Sequence, residues 1–89
     1  MKAIVTVVGK DRVGIIAAVC AKLAEFNVNV LDISQTGMQG YFTMMMAVEV
    51  SQCNVPVVEL AKSMEAIGGD MGLSIRVQRE DIFQSMHRI

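Results

Sequence analysis

Hydrophobic residues along the chain change period several times, and each change marks an element. Met1 to Val8 is a run rich in valine and isoleucine that stops at Gly9. Apolar residues at consecutive positions predict a strand buried on both faces. From Val13 to Phe26 the larger apolar residues Ile16, Val19, Cys20, Leu23 and Phe26 recur every three or four positions, with Ala17, Ala18, Ala21 and Ala24 among them. That is the pattern of a helix with one apolar stripe and high intrinsic propensity. Asn27-Val28-Asn29 breaks it. From Asn29 to Thr36 the pattern alternates, with Leu31 and Ile33 on one side and Val30, Asp32 and Ser34 on the other. This predicts a half-exposed edge strand.

Gly37-Met38-Gln39-Gly40 reads as a hairpin turn. Tyr41 to Val50 is again apolar on both faces, a central strand. Pro56 suits the first turn of a second helix, in which Val57, Leu60, Ala61, Met64 and Ile67 form the buried stripe and Gly68-Gly69 the end. Leu73, Ile75 and Val77 alternate with Ser74, Arg76 and Gln78, a last strand with one wet face. Behind Glu80-Asp81, the residues Ile82, Phe83, Met86 and Ile89 fall at helical spacing and predict a short amphipathic C-terminal helix. The order β-α-β-β-α-β with right-handed crossovers folds as an α+β, ferredoxin-like sandwich: a four-stranded antiparallel sheet with two helices on one face. Residues 1–79 form that domain, and residues 80–89 form a helix packed on its own or a partner subunit. The two central strands are apolar on both sides, so the second sheet face calls for a cover.

Composition narrows the setting. With 89 residues there is room for one domain and a modest core. A hydrophobic content of 53% and a mean hydropathy of +0.46 are hard to hide within one subunit, which favours self-association. A net charge of −1 with interspersed acids and bases lacks the basic face that nucleic acid requires. Lys2 leads straight into a strand-like run rather than a secretory leader, and the apolar run Gly14–Ala21 is too short to span a bilayer. A cytoplasmic protein without membrane contact is expected. Cys20 and Cys53 have neither CxxC spacing nor disulfide-scaffold density, so both are expected as reduced thiols.

This topology hosts unrelated functions, so function rests on the site. An RNA-binding platform stacks bases on sheet aromatics, but aromatics make up 4% of this chain and only Tyr41 and Phe42 fall on a sheet strand. The first loop has no cysteine pair for a soft metal. Met44-Met45-Met46 cannot converge on one ion, because consecutive strand residues point to opposite faces. His87, the one histidine, sits in the tail, remote from any candidate nucleophile. No catalytic residue, metal or cofactor is expected. One enzymatic alternative stays open: acylphosphatase-like chemistry needs an arginine in a glycine-bearing first loop, and Arg12 lies between Gly9 and Gly14.

That loop, Gly9-Lys10-Asp11-Arg12-Val13-Gly14-Ile15-Ile16, is the stretch richest in information. A strand that turns through a short polar loop into a helix with glycine at its start builds a place receptive to anions: helix-start amides point outward, the dipole is positive there, and glycine admits a ligand to the backbone. Together with Asn27-Val28-Asn29-Val30-Leu31-Asp32-Ile33-Ser34-Gln35-Thr36, it resembles the ACT-domain family. That family commonly shows a D/N-R-x-G-hydrophobic motif entering the first helix and an asparagine at the start of the second strand. The likeness covers the whole chain, and the tail from Glu80 is similar to that of the small stand-alone ACT proteins of bacteria and archaea. It implies a non-catalytic regulatory module that binds a small molecule, usually an amino acid, at a dimer interface, with any regulated enzyme a separate protein. The implied ligand-binding residues are Asp11, Arg12, Gly14, Ile15 and Asn29. Each also has a plainer role. Asp11 suits a helix N-cap, Arg12 a solvated surface, Gly14 close helix–strand packing, and Asn29 a strand start. Geometry places Asn29 about 23 Å from the strand exit at Thr36, out of reach of its own Asp11. Two-fold pairing of second-strand edges in a homodimer would bring the partner's Asn29 there instead. An adaptor that uses the same fold only for protein pairing is the other reading.

Overall fold

The computed structural model describes residues 1–10 and 14–80. Its organising strand is β1 (Lys2–Lys10), in which Ala3, Val5 and Val7 are completely buried and the residues between them are not. β1 pairs on one side with β3 (Tyr41–Glu49) and on the other with β4 (Leu73–Arg79), and β3 pairs outward with β2 (Asn29–Met38). All three pairings are antiparallel, in the order β2-β3-β1-β4. With α1 (Ile15–Glu25) and α2 (Val57–Met71) this is the expected βαββαβ sandwich, and the expected edge strand and central strands hold those positions. The core lies between the helices and the near face of the sheet. There Val5, Val7, Met44, Met46, Val48 and Ile75 meet Val19 and Leu23 of α1 and Leu60 and Met64 of α2.

Four departures from the sequence reading have local causes. β2 carries a bulge at Leu31, between Val30 and Asp32. Strict alternation groups Val30 with Asp32 and Ser34. The extra residue instead puts Val30 with Ile33 on the helix side, opposite the buried Val48 and Met46, and leaves Asp32 and Ser34 on the far face. α1 starts at Ile15, and its N-cap is Gly14 rather than Asp11. α2 runs through Gly68-Gly69 and ends at Gly72, whose left-handed φ of 73° stops it. The hairpin between β2 and β3 tightens to Gln39 and Gly40, with φ of 51° and 83°, as a two-residue turn requires.

The far end of α1 is tied down by asparagines. Asn27, at a φ of 60°, donates from Nδ2 to the Gln52 carbonyl at 2.8 Å, and Asn54 donates to the carbonyls of Glu25 and Phe26 at 3.1 Å each. The methionine triplet divides as alternation demands: Met44 and Met46 are fully buried and Met45 faces outward. Cys20 and Cys53 are free thiols, half-buried against the core. No described helix is long and apolar enough to cross a membrane. The expected C-terminal helix from residue 81 onward lies outside the described residues.

The two adjacent glycines of α2 differ sharply in surroundings. A Cβ at buried Gly68 would stand 2.9 Å from both the Leu73 carbonyl oxygen and Ile75 Cγ1, whereas one at Gly69 meets nothing within 4 Å. Gly68→Ala should therefore destabilise the protein by about 1–3 kcal/mol through overpacking against β4. Gly69→Ala should stabilise it by roughly 0.5–1 kcal/mol through helix propensity. Urea unfolding of the two variants checks this, and equal effects would contradict the helix–strand contact.

Candidate functional site

β1 and β2 run in the same direction, because each is antiparallel to β3, which lies between them. The end of β2 therefore arrives where β1 delivers the chain into α1. A cleft of about 410 Å³ opens at this corner. One wall is the first turn of α1, from Gly14 to Ala17; the other is Gln35, Thr36 and Gly37 of β2, with Phe42 of β3 behind them. Gln35 lies opposite the fully buried Met44, so its side chain is on the helix side of the sheet, and Phe42 shares that side.

Gly14 makes the corner possible. Its φ of 88° and ψ of 1° are left-handed, a region in which a side chain costs roughly 1–2 kcal/mol. The expected packing role is not what selects glycine, because a Cβ there would meet nothing within 4 Å. Backbone conformation is the constraint, and open space above it is a second feature of the site. Gly14 brings no side-chain cap to the helix, and no acidic residue occupies the first turn. Its carbonyl accepts the first helical bond, from the Ala18 amide at 2.9 Å. Positive helix-start potential thus faces a cleft with an apolar floor (Ile15, Ile16, Phe42) and a polar rim (Gln35, Thr36). A ligand with one anionic group and a short body matches both.

Of the residues expected from the sequence, Gly14 and Ile15 line this cleft. Asp11 and Arg12 lie outside the described residues. Asn29 is at the opposite end of the sheet, exposed and paired with Glu49. The sequence reading missed Gln35, Thr36, Gly37 and Phe42. The signal was available, because the strand direction that carries Asn29 away from the corner also carries the strand's last residues to it. Among the described residues, no group of three or more metal-ligating His, Cys, Asp or Glu side chains comes together.

The Asn29 end has its own electrostatics. The Met1 ammonium donates to Glu49 Oε1 at 2.7 Å and to Ser51 Oγ at 2.6 Å, and the Ser51 hydroxyl and amide also donate to Glu49. The ammonium first, and then the two Ser51 donors, hold the Glu49 carboxyl down at about 2 from its ordinary 4.5.

The fold and this corner define the chain as a ferredoxin-like domain with a cleft at the start of its first helix. It belongs to the ACT domain family, whose model matches residues 2–78, and ACT domains are typically regulatory ligand-binding units. A UPF0237 protein of Bifidobacterium longum is 54% identical over 88 residues, covering 99% of this chain and 98% of the relative. The solved ACT domain protein from Streptococcus pneumoniae is 45% identical with a TM-score of 0.82, covering 94% of each chain. The regulatory subunit of aspartate kinase from Thermus thermophilus shares the fold, at 23% identity and a TM-score of 0.65, over 86% of this chain and 50% of that one.

Two outcomes test these features. Gly14→Val should lower stability by about 1–2 kcal/mol, from backbone strain rather than crowding. Gly14→Asn should cost less, since asparagine tolerates the left-handed region better. A valine variant as stable as the parent would contradict the observed φ. Separately, the folded state favours the Glu49 carboxylate, so this carboxylate's contribution to stability is complete above pH 4.5 and is lost as pH falls toward about 2. An NMR titration of the Glu49 carboxyl should give a midpoint near 2, and Ser51→Ala should raise it; a parent midpoint near 4.5 contradicts the cluster.

Proposed function

We propose that this chain is a non-catalytic, cytoplasmic regulatory module that binds a small molecule, an amino acid, as a homodimer. The observation that carries the reading is the start of α1 at Gly14, an N-cap residue without a side chain, opening onto the 410 Å³ cleft. A carboxylate placed against the amides of Ile15 and Ile16 meets the positive helix end, while a short side chain rests on Ile15 and Phe42. The cleft is small, which suits an amino acid better than a nucleotide. The regulatory aspartate kinase subunit with the same fold is consistent with such a role.

The homodimer reading rests on β2, a sheet edge with Leu31 and Ile33 at 47% and 40% exposure. Two-fold pairing of β2 edges about Ile33 and Ser34 sets the partner's Asn29 beside Gly37, at the mouth of the cleft. In this arrangement Asp11 and the partner's Asn29 hold the ligand's ammonium, and Arg12 flanks the carboxylate. The site is then shared by two subunits, and the regulated enzyme is a separate protein.

A thermal-shift screen across the common amino acids should find at least one that stabilises the chain; a ligand at a hundred times its Kd contributes about 2.7 kcal/mol. If none shifts the transition, the ligand reading fails and the adaptor reading stands. The shared site is tested by mixing Asp11→Ala and Asn29→Ala chains. Neither mutant homodimer should bind, whereas the heterodimer recovers one intact site. A verified heterodimer without recovery rules the shared site out.

A further inference from the structure

β4 is the other edge of the sheet, with no strand on its outer side among the described residues. It differs from β2 in two respects. All seven of its residues pair with β1 in one unbroken register, from Leu73 opposite Gly9 to Arg79 opposite Ala3, whereas β2 is interrupted by its bulge. Its outer side also follows a groove against α2. Near the start of the strand a depression of about 350 Å³ opens between Gly69 and Leu73–Arg76. Near its end a larger one, of about 750 Å³, opens between Val58, Ala61 and Val77. Glu65 lines both, so together they track the whole strand, about 23 Å at 3.3 Å per residue. A regular edge presents outward-pointing N–H and C=O groups, and these are what a further strand takes up.

The side chains flanking this edge define what such a strand carries. On the helix side Ile75 is buried and Val77 half-buried, and α2 presents Ala61 and Val58, the latter 64% exposed. Lys62 and Glu65 at the lip offset each other in charge. On the open side of the sheet β4 reads Ser74, Arg76 and Gln78, one cation between two neutral polar residues and no carboxylate. Strand side chains alternate between these two sides. We infer that β4 is a docking edge for an extended segment of another protein in which apolar and acidic residues alternate. The apolar row fills the groove beside Val58 and Val77, and an acidic residue of the other row stands next to Arg76. Main-chain pairing then supplies affinity and the alternation supplies specificity. This surface is separate from the cleft at Gly14 and does not depend on a ligand there.

The probe is a synthetic, end-capped peptide of seven residues, the length of β4, in which valine and aspartate alternate. Titrated to millimolar concentration into the isotope-labelled full chain, it should shift the NMR amide signals of β4, Val58 and Ala61. Methylating every peptide nitrogen keeps the side chains but removes the donors of strand pairing, and should abolish these shifts. Arg76→Glu, at an exposed position, exchanges an attractive cross-strand pair for a like-charged one. It should weaken binding of this peptide by about ten-fold and make the corresponding valine–lysine peptide the better ligand. No shifts at millimolar peptide, shifts centred on β2 or on the cleft at Gly14, equal binding of the methylated peptide, or an unchanged order of preference in the Arg76→Glu variant overturns the proposal.

Discussion

The helix-facing side chains of β1 are flanked by neighbours on both sides, and the remaining structure is arranged around them. Val5 lies between Met46 and Val77, and Val7 between Met44 and Ile75. Fully burying a side chain of this size contributes roughly 1.5–3 kcal/mol. Both helices are needed to keep water from this row, yet they act on one face only, because a βαββαβ order with right-handed crossovers delivers both to the same side. The consequence is an asymmetric sheet. One face is a closed core, the other presents Val8, Tyr41 and Met45 at its surface, and one edge is β2.

The site follows from the same order. Since β1 and β2 run in one direction with β3 between them, the start of α1 and the end of β2 share a corner. The turn into the helix is made by Gly14 in a left-handed conformation rather than by a capping side chain. A carboxylate or hydroxyl cap would consume an amide and fill the corner. Glycine brings no side chain to the corner, and a Cβ there would meet nothing within 4 Å, so the residue that solves a backbone problem also shapes the cleft.

Periodicity carried most of this architecture. The stripe on α1 and the alternation at β4 depend on burial against a single core, and such patterns are written locally; the runs at β1 and β3 mark strands, but they are fully buried on the helix side alone rather than on both faces. What failed was set by contacts distant in sequence. Gly68 and Gly69 look like a helix end, yet α2 continues because Gly68 permits the close approach of Leu73 and Ile75. The bulge at Leu31 is a matter of pairing with β3, and no pattern within β2 announces it. Gln35 and Phe42 belong to the cleft only because two separate elements meet there, and a motif search centred on the loop after β1 does not reach them.

The bulge also bears on solubility. An open, regular edge strand is a template on which further copies add, one strand at a time, toward a fibre. At Leu31 the edge of β2 changes phase, and an incoming strand that keeps a straight register loses its match on passing Val30. Open-ended stacking of straight strands is penalised by that break. A chain with more than half of its residues hydrophobic thus has, in one extra backbone residue, a built-in limit on polymerisation.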